Sequence, residues 1–147
     1  PSGQLGKELT LKVEDLMKHR DELKPLSLNS SFLEVISELT RSGIGSCWIK
    51  DEKNMKKLIG IITDGDLRRA LRHYEPNVWE SLVAEEIMTK DPIIIEPDIF
   101  AIEALKLMED NSKKQSISVL PVINVKSEFL GILRLHDLVQ AGLKENK

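Results

Sequence analysis

A chain of 147 residues with 41% hydrophobic and 31% charged side chains has the make-up of an ordinary folded domain, not of a disordered segment. Its net charge of −3, with 21 basic residues spread among 24 acidic ones, supplies no basic field for nucleic acid. Its apolar runs are far too short to span a membrane, and one cysteine, Cys47, excludes an internal disulfide and suits a reducing cytoplasm.

Pro1–Lys7 has two glycines and no apolar periodicity, and reads as a linker. A short helical turn follows at Val13–Met17, then an extended piece around Pro25–Leu28. Ser30 or Ser31 is a good N-cap for the next helix, and Glu34 stands in capping-box position to Ser31. Phe32, Val35, Ile36 and Leu39 keep the helical period, and Gly43 stops it. Two strands, Ser46–Ile49 and Leu58–Thr63, are rich in apolar residues, and a helix opens at Asp64. Cys47, beside Trp48 in the first of these strands, reads as a small buried hydrophobe.

The same order then recurs. A turn at Ala84–Met88 leads to an extended piece at Pro92–Ile95. Asp98 is the predicted cap of a helix with one apolar face of Ile99, Ile102, Leu105 and Met108, and an adjacent one of Phe100, Ala104 and Leu107. So broad an arc predicts burial on two sides and a homo-oligomer, most simply a two-fold dimer. Strands follow at Ile117–Ile123 and Phe129–Arg134, and a last helix opens at Leu135 or His136. Met17 to Met88, Gly60 to Gly131 and Asp66 to Asp137 are each 71 residues, which marks a tandem repeat of one β-α-β-β-α unit.

The most specific phrase is Gly60-Ile61-Ile62-Thr63-Asp64-Gly65-Asp66, matched by Gly131-Ile132-Leu133-Arg134-Leu135-His136-Asp137. At the end of a strand and the start of a helix, free backbone N–H groups attract an anion. The Thr63 hydroxyl can add a donor, Gly65 lets backbone come close, and Arg68 and Arg69 bring forked donors to a phosphate. Asp66 can accept from both hydroxyls of a ribose. The plainer reading is helix-start chemistry, with Thr63 as cap and acids in the first turn. Arg134 fills the place of Thr63 in the second copy, so the two sites should differ, with the stronger near Asp66. His19, His73 and His136 have no metal-ligand spacing, and no nucleophile elbow or P-loop is present.

Both repeats resemble cystathionine β-synthase (CBS) domains, which occur in pairs. The first copy matches the ribose-phosphate signature of that family at Gly60, Ile61, Thr63 and Asp66; the second matches at Gly131, Ile132 and Asp137. The resemblance implies an α/β fold, a CBS-domain pair of two β-α-β-β-α repeats packed as a pseudo-two-fold unit. The division it suggests is a linker over 1–9 from an upstream domain, a first repeat over 10–76 and a second over 77–147. It implies a ligand site at Thr63, Asp64, Gly65, Asp66 and Arg69, with Arg134 and Asp137 in the second copy and Leu26 and Ile93 bordering a base. Gly3-x-Leu5-Gly6-Lys7, Asp15-Leu16-Met17, Thr63-Asp64-Gly65-Asp66-Leu67-Arg68-Arg69 and Leu135-His136-Asp137-Leu138 together resemble the regulatory half of arabinose-5-phosphate isomerases. That narrower likeness implies a sugar-isomerase domain upstream in the same chain, a role in making the precursor of the lipopolysaccharide sugar Kdo, and a fragment with no catalytic residues of its own. No cofactor is required; AMP, CMP or CMP-Kdo are the ligands it suggests. The rival expectation is a structural assembly module with no ligand.

Overall fold

The computed structural model describes residues 10–111 and 117–143; the expected linker over 1–9 lies outside them. In chain order the elements are α1 (Val13–Leu16), β1 (Lys18–His19), a 3-10 turn (Arg20–Glu22), α2 (Phe32–Ser42), β2 (Ser46–Lys50), β3 (Leu58–Thr63) and α3 (Asp64–His73). A second 3-10 turn (Pro76–Ser81), α4 (Ala84–Ile87), β4 (Thr89–Lys90), α5 (Ala101–Asn111), β5 (Val119–Ile123), β6 (Phe129–Arg134) and α6 (Leu135–Gln140) complete them. The α/β class expected from the sequence is the one found.

The chain divides into two compact units, and neither is a contiguous copy of the repeat. One runs from Asp21 to Pro92; the other joins the residues through Arg20 to those from Ile93 onward. In the first, β2, β3 and β4 form an antiparallel sheet in the order β2-β3-β4. Val35 and Leu39 of α2, Cys47 and Ile49 of β2, Ile62 of β3 and Ala84 and Ile87 of α4 share its core. In the second, the sheet order is β1-β6-β5. There Val13 of α1 joins Ala101, Ala104, Leu105 and Met108 of α5, Leu120 and Val122 of β5, and Leu133 and Leu138. The opening helix and strand of each copy thus pack into the unit that holds the other copy's main sheet.

A close approach explains the glycine of the repeated phrase. A Cβ at Gly60 would stand 2.7 Å from the Met88 sulfur and 2.9 Å from the Thr89 carbonyl oxygen. Only a bare Cα lets β4 lie this tightly on β3. Gly131 plays the same part in the other unit, where a Cβ would strike the Lys18 carbonyl and the Met17 sulfur. The equal spacing of Met17 to Met88 and Gly60 to Gly131 is therefore one packing unit used twice.

The α2 cap forms as read. The Ser31 hydroxyl accepts from the Glu34 N–H at 3.1 Å, and Glu34 accepts from the Ser31 N–H at 3.0 Å. That backbone bond holds the Glu34 carboxyl below its usual range. Gly43 ends the helix at φ +71°, the left-handed conformation that favours glycine. The α5 cap differs. The helix starts at Ala101, so Phe100 precedes it and Asp98 lies in a turn before that. The buried stripe of α5 is Ala101, Ala104, Leu105 and Met108, while Phe100 is 46% exposed.

Candidate functional site

The helix α3 starts where the sequence places it, and its first turn gathers four of the expected site residues. Thr63 is the N-cap, with extended backbone, and its hydroxyl accepts from the Asp66 N–H at 3.2 Å. Asp66 is 5% exposed, yet its carboxylate is not left open. Oδ2 accepts from the Thr63 N–H at 2.9 Å and the Thr63 hydroxyl at 3.2 Å. Oδ1 accepts from Arg69 Nη2 at 2.6 Å and the Thr89 hydroxyl at 2.7 Å. A carboxylate has about four acceptor positions, and all four are used. This is why a charge can sit so deep: its desolvation is offset by donors, one of them cationic.

The bond from Thr89 to Asp66 is what reading the sequence missed. Thr89 lies 23 positions from Asp66, and reaches it because Gly60 lets β4 press on β3. The available signal was its place immediately after the repeated Met88.

Gly65 is at the mouth of the helix. A Cβ there would stand 3.4 Å from Arg69 Nη1 and 3.8 Å from an Arg68 guanidinium nitrogen. Two guanidinium groups therefore gather beside the N-terminus of a ten-residue helix, whose dipole favours an anion, while the Asp64 and Asp66 N–H groups already donate to the Gly45 carbonyl and the Thr63 hydroxyl. Asp64 faces the other way: its N–H donates to the Gly45 carbonyl at 3.1 Å, and its carboxylate lies against Gly45.

The second copy solves the same problem with different atoms. Asp137 accepts from the Arg134 N–H at 2.9 Å, from Arg134 Nε at 3.2 Å and from Nη2 at 2.7 Å. The cation comes from the residue before the helix rather than from its second turn, and no hydroxyl caps α6. The guanidinium thus sits where the first copy has Thr63.

Leu26 and Ile93 fall in different units and different settings. Leu26 is 2% exposed, within the core of its unit, and its backbone bridges to β2 by Leu26 N–H to the Trp48 carbonyl and Lys50 N–H to the Leu26 carbonyl. Its structural counterpart is Ile95, which makes the same two bonds with Pro121 and Ile123; Ile93 is 43% exposed in the preceding loop. Cys47 is fully buried, and burial pushes its thiol up to about 12. No cluster of metal-ligating side chains occurs among the described residues, and no described helix is long and apolar enough to cross a membrane.

The family model for the CBS domain matches residues 13–73 and 83–144. The chain belongs to the CBS-domain family. As a CBS pair it is 40% identical over 144 residues to arabinose 5-phosphate isomerase KdsD of Pseudomonas aeruginosa, covering 97% of this chain and 41% of that protein. It is 36% identical over 145 residues to KdsD of Escherichia coli K12, with the same coverage. The pair thus spans about two fifths of the length of these relatives. Among solved structures it resembles CBSX2 in complex with AMP, at TM-score 0.70 and 20% identity over 89% of this chain and 95% of that one. It also resembles the CBS domain of a bacterial CNNM/CorC Mg2+ transporter in complex with ATP, at TM-score 0.76 and 14% identity over 99% and 96%.

Proposed function

We propose that this CBS pair is the regulatory module of an arabinose-5-phosphate isomerase in Kdo and lipopolysaccharide precursor synthesis, and that it binds a nucleotide or nucleotide sugar at the first turn of α3. The observation that carries the ligand reading is the convergence of Arg68, Arg69, Gly65 and the α3 N-terminus beside a buried carboxylate. A phosphate suits the guanidinium donors, and a ribose diol would reach Asp66 by displacing hydroxyl donors it already holds. The solved CBS pairs with AMP and ATP support the ligand class, and AMP, CMP and CMP-Kdo are the first candidates. The isomerase context rests on the KdsD relatives. In this reading a cytoplasmic sugar-isomerase domain shares the chain, and Thr63, Gly65, Asp66 and Arg69 form the principal site, with Asp64 anchoring the turn on Gly45.

Regulation follows from differential affinity. A ligand that binds one arrangement of the pair more tightly biases whatever is linked to it, by no more than that difference. The pair contributes no catalytic group to the isomerisation. A homo-oligomer is part of the same proposal, since Val139 of α6 is 52% exposed and Leu33 of α2 is 71% exposed.

One observation favours the second reading, an assembly module without ligand: both signature carboxylates already have internal donors. A thermal-shift panel of AMP, ATP, CMP and CMP-Kdo separates the two, because any ligand bound only by the native state raises the melting temperature. The proposal expects at least one rise that Asp66→Ala abolishes. No rise with any of them at millimolar concentration favours the empty module.

A further inference from the structure

We infer that two copies of this chain pair crosswise, the arginine face of α3 in one copy meeting the acidic surface around α1 in the other. This rests on the homo-oligomer proposed above and specifies which surface meets which.

The inference starts from charge that the fold leaves unused. Arg68 and Arg72 are one helical turn apart on α3, so they share a face, and both are exposed. Neither makes an ion pair or hydrogen bond among the described residues, whereas Arg69 beside them is tied to Asp66. In the other unit the Glu14 N–H donates to the Pro97 carbonyl at 2.9 Å, which brings Glu14 alongside Glu96 and Asp98. All three acids are exposed, and none has an ion-pair partner among the described residues.

The tandem repeat shows that each set of charges belongs to one unit only. At the repeat spacing Arg68 and Arg72 correspond to Val139 and Leu143, so α6 carries no such cationic face. Glu85 takes the place of Glu14, and its N–H donates to the Leu28 carbonyl at 3.0 Å, but the residues flanking Leu28 are the neutral Ser27 and Asn29.

Pairing like with like is unfavourable. If α3 met α3, Arg68 and Arg72 would face their own copies, and like charges set together at an interface cost affinity. Crossed pairing sets guanidinium against carboxylate, and a two-fold axis makes that contact twice, which closes the dimer. It also covers exposed apolar side chains. Leu33 belongs to the arginine-bearing unit and Val139 to the acidic one, so crossed pairing lets Leu33 of each copy meet Val139 of the other, an apolar centre with a charged rim.

Light scattering at micromolar concentration, on the wild type and on charge-reversed variants, tests this. The wild type should show twice 16.6 kDa. Arg68→Glu with Arg72→Glu sets acid against acid and should raise the dimer Kd roughly a hundredfold, so that monomer prevails. Glu14→Lys with Glu96→Lys sets base against base and should do the same. An equimolar mixture of these two variants restores both contacts and should return to the dimer mass, as should one chain carrying all four changes. All four positions are exposed, and far-UV circular dichroism verifies the fold of each variant. A dimer that persists in the Glu14→Lys, Glu96→Lys variant overturns the crossed contact, as does a mixture of folded variants that stays monomeric. A wild-type monomer overturns the oligomer reading and the crossed contact with it.

Discussion

Gly60→Ala isolates the contact on which the site geometry depends. The new methyl would stand 2.7 Å from the Met88 sulfur and 2.9 Å from the Thr89 carbonyl oxygen. Comfortable contact begins near ~3.5 Å, so strand β4 would have to retreat by roughly 0.5–1 Å. Met88 is flexible and can yield, but the Thr89 carbonyl is backbone, paired across from Ile61. Retreat carries the Thr89 hydroxyl with it, and its 2.7 Å bond to Asp66 stretches past the useful range. Overpacking of this kind costs about 1–3 kcal/mol, and the lost hydrogen bond adds about 1 kcal/mol. A chain of this length loses about 3 °C per kcal/mol, so the melting temperature should fall by roughly 6–12 °C. Differential scanning fluorimetry on wild type and Gly60→Ala reads this directly. Adding Met88→Ala should recover only part of the loss, because the carbonyl remains. A Gly60→Ala variant that melts within about 1 °C of the wild type would show that β4 does not depend on a bare Cα and refute the argument.

Cys47 should resist thiol reagents in the native state. Its thiol is fully buried, with its pKa raised to about 12. The raised value means the protein holds it neutral, so at pH 8 only about one molecule in ten thousand carries thiolate. Labelling should be absent in buffer and stoichiometric in denaturant; rapid native labelling contradicts the burial. The pure chain should not interconvert arabinose 5-phosphate and ribulose 5-phosphate above a buffer control, and turnover would place catalytic groups within these 147 residues. Light scattering at micromolar concentration should give a multiple of 16.6 kDa, reduced to that mass by Val139→Glu, which would bury an unpaired carboxylate at the contact. Leu107 is less suited to that test because it packs against the core of its own unit. A wild-type monomer would refute the oligomer.

The legible parts of the fold were those written in local chemistry. Ser31 with Glu34, Gly43, and the strands Leu58–Thr63 and Phe129–Arg134 could be read because caps and apolar runs act over a few residues. Asp98 misled because the repeat is not uniform. Met17 to Leu26 is nine positions and Met88 to its counterpart Ile95 is seven, the 3-10 turn Arg20–Glu22 falling in the longer stretch. The cap equivalent to Ser31 is therefore Phe100, a residue that no capping rule selects. β1 and β4, two residues each, are too short to show alternation, and depend on Gly131 and Gly60 far along the chain. The two-residue strands are also where the copies exchange segments, which sequence order conceals. At the site, Thr63 was readable as a cap, whereas Asp66 and Arg69 were read as ligand groups and not as the i,i+3 ion pair they form. The contribution of Thr89, and the resulting saturation of Asp66, required the strand pairing.

Titration of the chain and its Asp66→Ala variant with AMP, CMP and CMP-Kdo tests the central claim most directly. Loss of a charge-assisted contact worth roughly 1.5–3 kcal/mol should weaken the bound ligand tenfold or more, with Thr63→Val costing less. A ligand that binds wild type and Asp66→Ala with equal affinity would contradict the claim, because recognition would then lie away from the first turn of α3.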